Sequence, residues 1–264
     1  MSPSLSLLIE LSRQAGQILR ERFWEPHQVH YKGDIDLVTE ADQRSEAYLI
    51  EQIRSRFPNH TIVSEESGLL SGEESHAWYI DPLDGTTNYA HGVPIYSVSI
   101  AYAHNGQLQL GVIYDPMQDE CFTAERGKGA WLNERPMRVS DVQDLNHSLL
   151  VTGFPYDIRT NPQTNLDNYA YFAKHSQAVR RLGSAALDTA YVAAGRLDGY
   201  WEISTKAWDI AAGVLMVQEA GGVVTNIEGG KDFFHPPYAM IAAPPALHPQ
   251  ILQGLNRNGK AASA

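Results

Sequence analysis

The sequence predicts a mixed fold in which helices are layered on β-sheets, with an α+β half over about 1–145 running into an α/β half over 146–264. Three observations carry this. Apolar residues recur at helical spacing near the N-terminus, the middle of the chain switches to short β-rich runs between turn residues, and from about residue 146 strands and helices alternate. No repeat, low-complexity tract or Pro/Gly linker divides the 264 residues, so a single unit is expected.

Leu8, Leu11, Ala15, Ile18 and Leu19 fall on one face of a helix over 5–23. A second helix is expected over 40–57, with Thr39 as N-cap, Asp42 three residues on and Pro58 as its stop. Runs at 62–63, 78–80, 93–103, 108–114 and 120–124 read as consecutive strands joined by hairpins, with turns at Asn105-Gly106, Asp115-Pro116 and 127–129. The Gly/Ser/Glu-rich stretch 68–76 reads as a flexible loop. The second half alternates strand 149–152, helix 166–175, a strand near Val179, helix 185–194, strand 199–201 and helix 210–219. Strands 223–224 and 240–243 and a helix over 245–256 complete it. Gly221-Gly222 is a helix C-cap, and the tail 259–264 is expected to fray.

Composition narrows the function classes. With Lys+Arg 20 against Asp+Glu 31, the net charge of −11 repels polyanions, so nucleic acid is a poor partner. Excess carboxylate suits divalent cations instead. No apolar run reaches the roughly 18 residues that span a bilayer, and the N-terminus lacks signal-peptide character, so no membrane partner and a cytoplasmic location are expected. Cys121 is the only cysteine, which excludes an internal disulfide and a Cys-based metal cluster. On a strand it should be buried and inert.

The densest signal is Asp81-Pro82-Leu83-Asp84-Gly85-Thr86-Thr87-Asn88, directly after the apolar run Trp78-Tyr79-Ile80. Asp81 therefore stands at a strand's carboxyl end, where ligand sites gather. Two carboxylates about 4 Å apart repel by roughly 4 kcal/mol at an effective dielectric near 20, so something positive belongs between them. All-oxygen ligands favour Mg²⁺, Mn²⁺ or Ca²⁺ over zinc. Gly85-Thr86-Thr87 offers backbone N–H groups at a helix start, suited to an anion. An acid pair beside an anion cradle describes a phosphate-processing centre. The bland alternative is an Asx-turn closing a loop. Glu65-Glu66 after strand 62–63, and Asp209 in Trp208-Asp209-Ile210-Ala211-Ala212-Gly213, are further acids that taken singly read as a solvated loop and a helix-start acid.

Together, Glu65-Glu66-Ser67, the Asp81–Tyr89 motif, and Trp208-Asp209-Ile210-Ala211-Ala212-Gly213 followed by Glu219-Ala220-Gly221-Gly222 resemble the inositol monophosphatase family, in order and spacing over nearly the whole chain. The family comprises Mg²⁺-dependent, lithium-sensitive phosphatases. The resemblance implies an αβαβα sandwich of the inositol monophosphatase and fructose-1,6-bisphosphatase type, two or three Mg²⁺ ions, and a homodimer. It assigns Glu65, Asp81 and the Leu83 carbonyl to one ion, Asp81, Asp84 and Asp209 to a second, and Glu65 with water to a weaker third. It gives the phosphate to the Gly85 and Thr86 amides, with Asp84 alongside, and the attacking water to Asp42 and Thr86, with Glu65 beside them. Asp42 alone reads equally as a first-turn helix acid.

The implied reaction is hydrolysis of a small phosphate monoester, myo-inositol monophosphate first, by water without a phosphoenzyme. Thr87-Asn88 looks like the inositol, glucitol and fructose phosphate side of the family, since relatives acting on phosphoadenosine or histidinol phosphate resemble one another in a charged residue after the first Thr. Glu202 and the Ala185 amide match polyol contacts. A carboxylate suits vicinal hydroxyls, although Glu202 reads equally as a surface acid at a strand end. The alternatives are a fructose-1,6-bisphosphatase, a histidinol-phosphatase, or a relative working mainly by binding macromolecules. Ser64 stands where Gly often precedes the Glu pair, and Lys32-Gly33-Asp34 matches the start of a metal-gating loop. His91 follows the motif but needs no catalytic role and is expected to pack behind the site or face solvent, His27 and His30 lack a third ligand at metal spacing, and Arg180-Arg181 reads as a strand-end ion pair or dimer contact.

Overall fold

A computed structural model of the chain describes residues 2–25, 29–31 and 37–257. Helix α1 (Leu5–Arg22) starts at Ser4, whose hydroxyl accepts from the Leu7 N–H, and buries Leu8, Leu11, Ala15 and Leu19. A short antiparallel ribbon, β1 (Val29–Tyr31) with β2 (Leu37–Thr39), leads into α2 (Glu40–Arg56). The expected cap is present: Thr39 and Asp42 form a reciprocal capping box, which joins β2 to the helix at a fixed angle.

The first sheet has eight strands. In chain order these are β3 (His60–Ser64), β4 (Gly68–Leu70), β5 (Glu73–Asp84), β6 (Ser97–His104), β7 (Gln107–Asp115), β8 (Glu120–Glu125), β9 (Gly129–Leu132) and β10 (Arg135–Pro136), with helix α3 (Thr86–Ala90) between β5 and β6. Their order across the sheet is β10-β9-β8-β7-β6-β5-β3-β4. From β6 to β8 the hairpins are the ones the turn residues predict, and the turn at 127–129 leads into the further strand β9. The first pair differs from the expectation of consecutive hairpins, because β3 runs parallel to β5. The expected loop at 68–76 is the reason: its start folds back on β3 as the antiparallel edge strand β4 and its end opens β5. Backbone pairing, which Gly and Ser do not prevent at an edge, outweighed the composition.

The second sheet has the order β12-β11-β13-β15-β14, built from β11 (Leu149–Thr152), β12 (Ala178–Arg180), β13 (Gly199–Glu202), β14 (Val223–Thr225) and β15 (Met240–Ala243). β11 is parallel to β12 and β13, and β15 is antiparallel to β13 and β14. The helices of this half are α4 (Leu166–His175), α5 (Ala185–Ala193), α6 (Ala207–Glu219) and α7 (His248–Leu255), the last starting three residues later than predicted.

Five layers result. α1 and α2 cover one face of the large sheet, α5 and α6 lie between the two sheets, and α4 and α7 cover the far face of the small one. Three apolar clusters fill the four interfaces: Leu8, Leu11, Leu49, Ile53, Trp78 and Tyr89 under α1 and α2, Phe122, Leu187, Leu215 and Met216 around α5 and α6 against both sheets, and Phe172, Trp201 and Ile251 under α4 and α7. Each fully buried side chain of this size contributes about 1.5–3 kcal/mol. The α5–α6 layer is apolar on all sides because it faces sheet twice, so the polar residues at its helix N-termini are conspicuous. Among the described residues no helix is long and apolar enough to cross a membrane.

Candidate active site

Helix α2 turns a polar stripe inward. Asp42, Ser45 and Glu46 lie on its buried face, where a purely structural helix would carry apolar groups. Each braces a different part of the neighbouring sheet. Asp42 Oδ2 accepts from the Thr39 backbone N–H at 2.8 Å and from its hydroxyl, while Oδ1 faces the Thr86 hydroxyl at 3.1 Å. Ser45 donates to the Pro82 carbonyl at 2.9 Å. Glu46 accepts from the Glu66 and Ser67 N–H groups at 3.1 and 3.0 Å, from the Ser67 hydroxyl at 2.7 Å and from Ser64. Ser64 thus ties the start of the Glu65-Glu66 turn to α2. The sequence reading passed over Ser45 and Glu46; their signal was spacing, since with Asp42 they put two acids and a hydroxyl on the helix face that carries Ala41, Leu49 and Ile53.

β5 ends at the motif. Its pairing with β6 shifts register between Asp81 and Asp84, so both carboxyl groups are buried at one corner. Asp81 Oδ1 accepts from the Leu83 N–H at 3.0 Å, and the Leu83 carbonyl accepts from the Thr86 hydroxyl at 2.9 Å. One hydroxyl proton therefore serves two acceptors, Leu83 O and Asp42 Oδ1. Glu65 enters from β3, its N–H donating to the Ile80 carbonyl at 3.3 Å and its carboxyl sharing a hydrogen bond with Asp81. Gly85 sits at φ 95°, and a Cβ there would press on the Ile95 and Gly183 carbonyls, so glycine is required. Beyond it α3 begins, and among the described residues the N–H groups of Gly85, Thr86 and Thr87 donate to no protein acceptor.

The second half closes the corner with two helix N-termini. Asp84 accepts from the Ser184 hydroxyl and from the Ala185 and Ala186 N–H groups at 3.2 and 2.9 Å, which docks α5 on the motif. The Ala185 amide is therefore engaged by Asp84 in this conformation. Asp209, in the first turn of α6, accepts from the Lys206 N–H at 2.9 Å.

Electrostatics sets this corner apart. Burial, then the charges of Glu65, Asp84 and Asp209, hold the proton affinity of Asp81 well above the carboxylate range. Burial, then Asp84 and Glu65, do the same for Asp209. Asp84 is pushed up to about 6 by burial, against the hydrogen bonds from α5. Four distant acids thus feel one another in a buried space where like charge is the chief neighbour. Such a set keeps protons or takes up a cation. Among the described residues no three His, Cys, Asp or Glu side chains already stand as a cation cage. The acids are instead spent on each other and on backbone N–H groups, so cation uptake here entails proton release. The donor set, all oxygen with carboxylates dominant, fits Mg²⁺ and does not fit zinc.

Glu202 ends β13 and is buried, unlike the surface acid considered above. Its carboxylate accepts from the Tyr200 hydroxyl at 2.6 Å. Burial raises its proton affinity to about 7, with Tyr200 and Arg181 opposing and Asp84 reinforcing. Glu202 is thus an electrostatic neighbour of Asp84 and Asp209. Asp188 on α5, overlooked there, is a further buried acid; its Oδ1 has no partner among the described residues, and burial followed by Glu202 raises its proton affinity strongly. Arg181, exposed just past β12, lies 5.6 Å from the Phe154 ring, and its charge opposes the raised proton affinities of Glu202 and Asp188. His91 and His30 are exposed, Cys121 is buried with its thiol pushed up to about 11, and His27 and Lys32-Gly33-Asp34 lie outside the described residues. A separate cleft of about 530 Å³ at Asn165, Asn226, Asp232 and His235 includes none of these acids.

Comparison with known proteins gives the same orientation. The model described as the inositol monophosphatase family matches residues 1–260. Nus factor SuhB of Pasteurella multocida is 44% identical over 247 residues, 92% of each chain. Inositol-1-monophosphatase of Mesorhizobium japonicum is 43% identical over 234 residues, 88% of each. The crystal structure of the extragenic suppressor protein suhB from Bartonella henselae superposes with a TM-score of 0.90 at 40% identity, covering 96% of this chain and 98% of that one.

Proposed function

The chain belongs to the inositol monophosphatase family, and from that premise we propose that it is a Mg²⁺-dependent phosphomonoesterase acting on myo-inositol monophosphate and similar polyol phosphates. The observation that carries this reading is the convergence of Glu65 and Asp209 on the buried pair Asp81 and Asp84, where each of Asp81 and Asp209 has carboxylates as its foremost charged neighbours. Glu65, Asp81, Asp84, Asp209 and the Leu83 carbonyl would hold two or three Mg²⁺ ions. Bound there, the ions supply Lewis acidity, making water acidic enough to attack near neutral pH and offsetting charge on the phosphoryl oxygens.

The rest is the work of the chain. The N–H groups of Gly85 and Thr86 point hydrogen-bond donors at the phosphate from the start of α3. Asp42, fixed by the Thr39 cap, holds the Thr86 hydroxyl, and Thr86 in turn orients the attacking water, with Glu65 across from it. Glu46 keeps the Glu65 turn at its distance from β5. Glu202 accepts from hydroxyls of the alcohol portion, which distinguishes a polyol ester from an aryl one. The attack is in line and direct, without a phosphoenzyme.

Phosphate release from inositol-1-phosphate, fructose-1,6-bisphosphate, histidinol phosphate and p-nitrophenyl phosphate, with Mg²⁺ and with EDTA, tests this reading. Mg²⁺-dependent turnover that is fastest on inositol-1-phosphate is expected; turnover unaffected by EDTA would overturn it. A second reading, a macromolecular role beside catalysis, is favoured by one fact: a relative 44% identical to this chain is named a Nus factor. Capture of a transcription complex by the Asp209→Asn protein, which lacks an acid but keeps the surface, would support that role independently of turnover.

A further inference from the structure

The Glu202 carboxylate is only half used. Oε2 takes the Tyr200 hydroxyl at 2.6 Å, whereas Oε1 accepts no hydrogen bond among the described residues. Tyr200 and Glu202 are two apart on β13 and so share one face of the sheet. Against the carboxylate stands the Gly153 backbone, just past β11. A Cβ at position 153 would lie less than 3.0 Å from both oxygens and the carbon of the carboxylate. That wall is itself pinned. Asn165, buried before α4, donates to the Gly153 carbonyl at 2.8 Å and to the Thr152 hydroxyl at 2.9 Å. Its own carbonyl accepts from the Trp201 indole at 2.9 Å, and Thr152 donates to the Trp201 carbonyl at 2.6 Å. The ends of β11 and β13 are thereby locked together on either side of Glu202.

We propose that Tyr200 and Gly153 are positioning residues for substrate choice: the hydroxyl grips one oxygen of Glu202, the bare glycine backbone backs the carboxylate, and the second oxygen is left to accept a hydroxyl of the substrate's alcohol portion. This rests on the polyol reading of the pocket given above. A carboxylate free to rotate would spend orientation entropy on each substrate bound, so a fixed one discriminates better between a ring carrying hydroxyls and one without them. Neither residue touches the phosphorus, so the effect belongs to binding of the alcohol portion.

Tyr200→Phe removes the hydroxyl and keeps the ring. The measurement is kcat and KM for inositol-1-phosphate and p-nitrophenyl phosphate across pH 6 to 9 at saturating Mg²⁺. The ratio of kcat/KM for the two substrates should fall about fivefold to tenfold, carried by KM for inositol-1-phosphate. The rise of that KM on acidification should begin at higher pH, because the carboxylate has lost a donor. Gly153→Ala, which displaces the carboxylate from its other side, should move the same ratio in the same direction and serves if Tyr200→Phe folds poorly. In a Glu202→Gln background, Tyr200→Phe should change the ratio by less than about twofold. If the parent prefers inositol-1-phosphate and neither variant alters the preference, the proposal is overturned alone. Equal losses on both substrates, with the pH profile unmoved, also overturn it by making Tyr200 merely structural. A parent without any preference overturns it together with the role given to Glu202.

Discussion

Strands β3 and β5 run parallel, and each carries a titratable cluster at either end. At their starts, His60 stacks on His76 at 4.3 Å with planes 5° apart, and His76 stacks on His104 at 4.7 Å. At their ends lie Glu65, Asp81 and Asp84. The first cluster is closed. The Trp78 indole N–H donates to His60 Nδ1 at 3.1 Å, His76 Nδ1 meets the Tyr102 hydroxyl at 2.6 Å, and Phe57 covers the outer face of His60 at 4.8 Å. The second cluster is open: Asp81, Asp84 and Asp209 accept from backbone donors, and after burial the like charges around Asp81 and Asp209 are what raise their proton affinities. Two ends of the same strands thus separate a group whose hydrogen bonds are to neighbouring aromatic side chains from one whose carboxylates raise one another's proton affinities.

The largest effect that sharpens this contrast is at the open end. Asp209→Asn keeps the acceptor for the Lys206 N–H but removes one negative charge, so kcat with inositol-1-phosphate should drop by at least about 100-fold. The same change relieves like-charge repulsion, so the melting temperature measured in EDTA should stay level or rise. A variant that melts earlier and turns over like the parent would reverse the two roles. At the closed end the expectation is opposite. His60→Ala leaves the Trp78 N–H unsatisfied in a fully buried position and empties a ring stack, which should cost about 3 kcal/mol in denaturant unfolding. Activity per folded molecule should remain within about twofold.

Why the open end was legible and the closed end was not follows from the same physics. Asp81-Pro82-Leu83-Asp84-Gly85-Thr86 is contiguous, and although its acid pair alone reads as an Asx-turn, the Gly-Thr-Thr extension and the further acids turn the reading toward a cation. Asp209 and Glu65 were placed with them by family resemblance, since no local property distinguishes a helix-start acid that reaches a site from one that faces water. Most helices and strands could be read from periodicity, whereas β4, β9 and β10 were missed because short edge strands take their structure from a neighbour and carry little pattern of their own. Glu46, Ser45 and Asn165 act through long-range contacts to backbone, which spacing cannot show until the partner strand is known. The parallel placement of β3 beside β5, on which the whole comparison rests, was hidden for the same reason: an intervening three-residue strand turns an expected hairpin into a crossover.

Metal uptake offers the next test, of middle size. Burial and mutual repulsion raise the proton affinities of Asp81, Asp84 and Asp209 above their unfolded values. The stability these protons give the metal-free protein is complete below the ordinary carboxylate range and is lost as pH rises through the folded values, about 6 for Asp84. Mg²⁺ competes with the same protons. Its stabilisation, about 2.7 kcal/mol at a concentration 100 times Kd, should therefore be greatest at pH 8 and shrink toward pH 5.5. Thermal melts with and without Mg²⁺ at both values measure this. A shift of equal size at the two pH values would mean that the ion binds elsewhere than at the open end.

The smallest effect isolates the closed end by its sign. Burial, then the adjacent His76, hold His60 below the ordinary imidazole pKa, while Glu73 pulls it upward and Arg54 downward. Its neutral ring accepts from Trp78 at Nδ1, and protonation turns that acceptor into a donor facing a donor. As pH falls below about 6.5, the unfolded chain takes up this proton before the folded one does, so His60 withdraws stability on acidification. The acids at the far end of the same strands contribute stability over that range in the absence of metal, so the two clusters oppose one another and a melt of the parent alone shows only their sum. His60→Phe separates them: it keeps a ring in the stack and loses the indole bond at every pH, so its deficit relative to the parent is constant apart from the titration of His60. Between pH 7.5 and 5 in EDTA, the gap between the two melting temperatures should narrow by about 2 °C. A gap that widens would mean that His60 is more easily protonated in the folded protein, and that this end of β3 and β5 also seeks a charged partner.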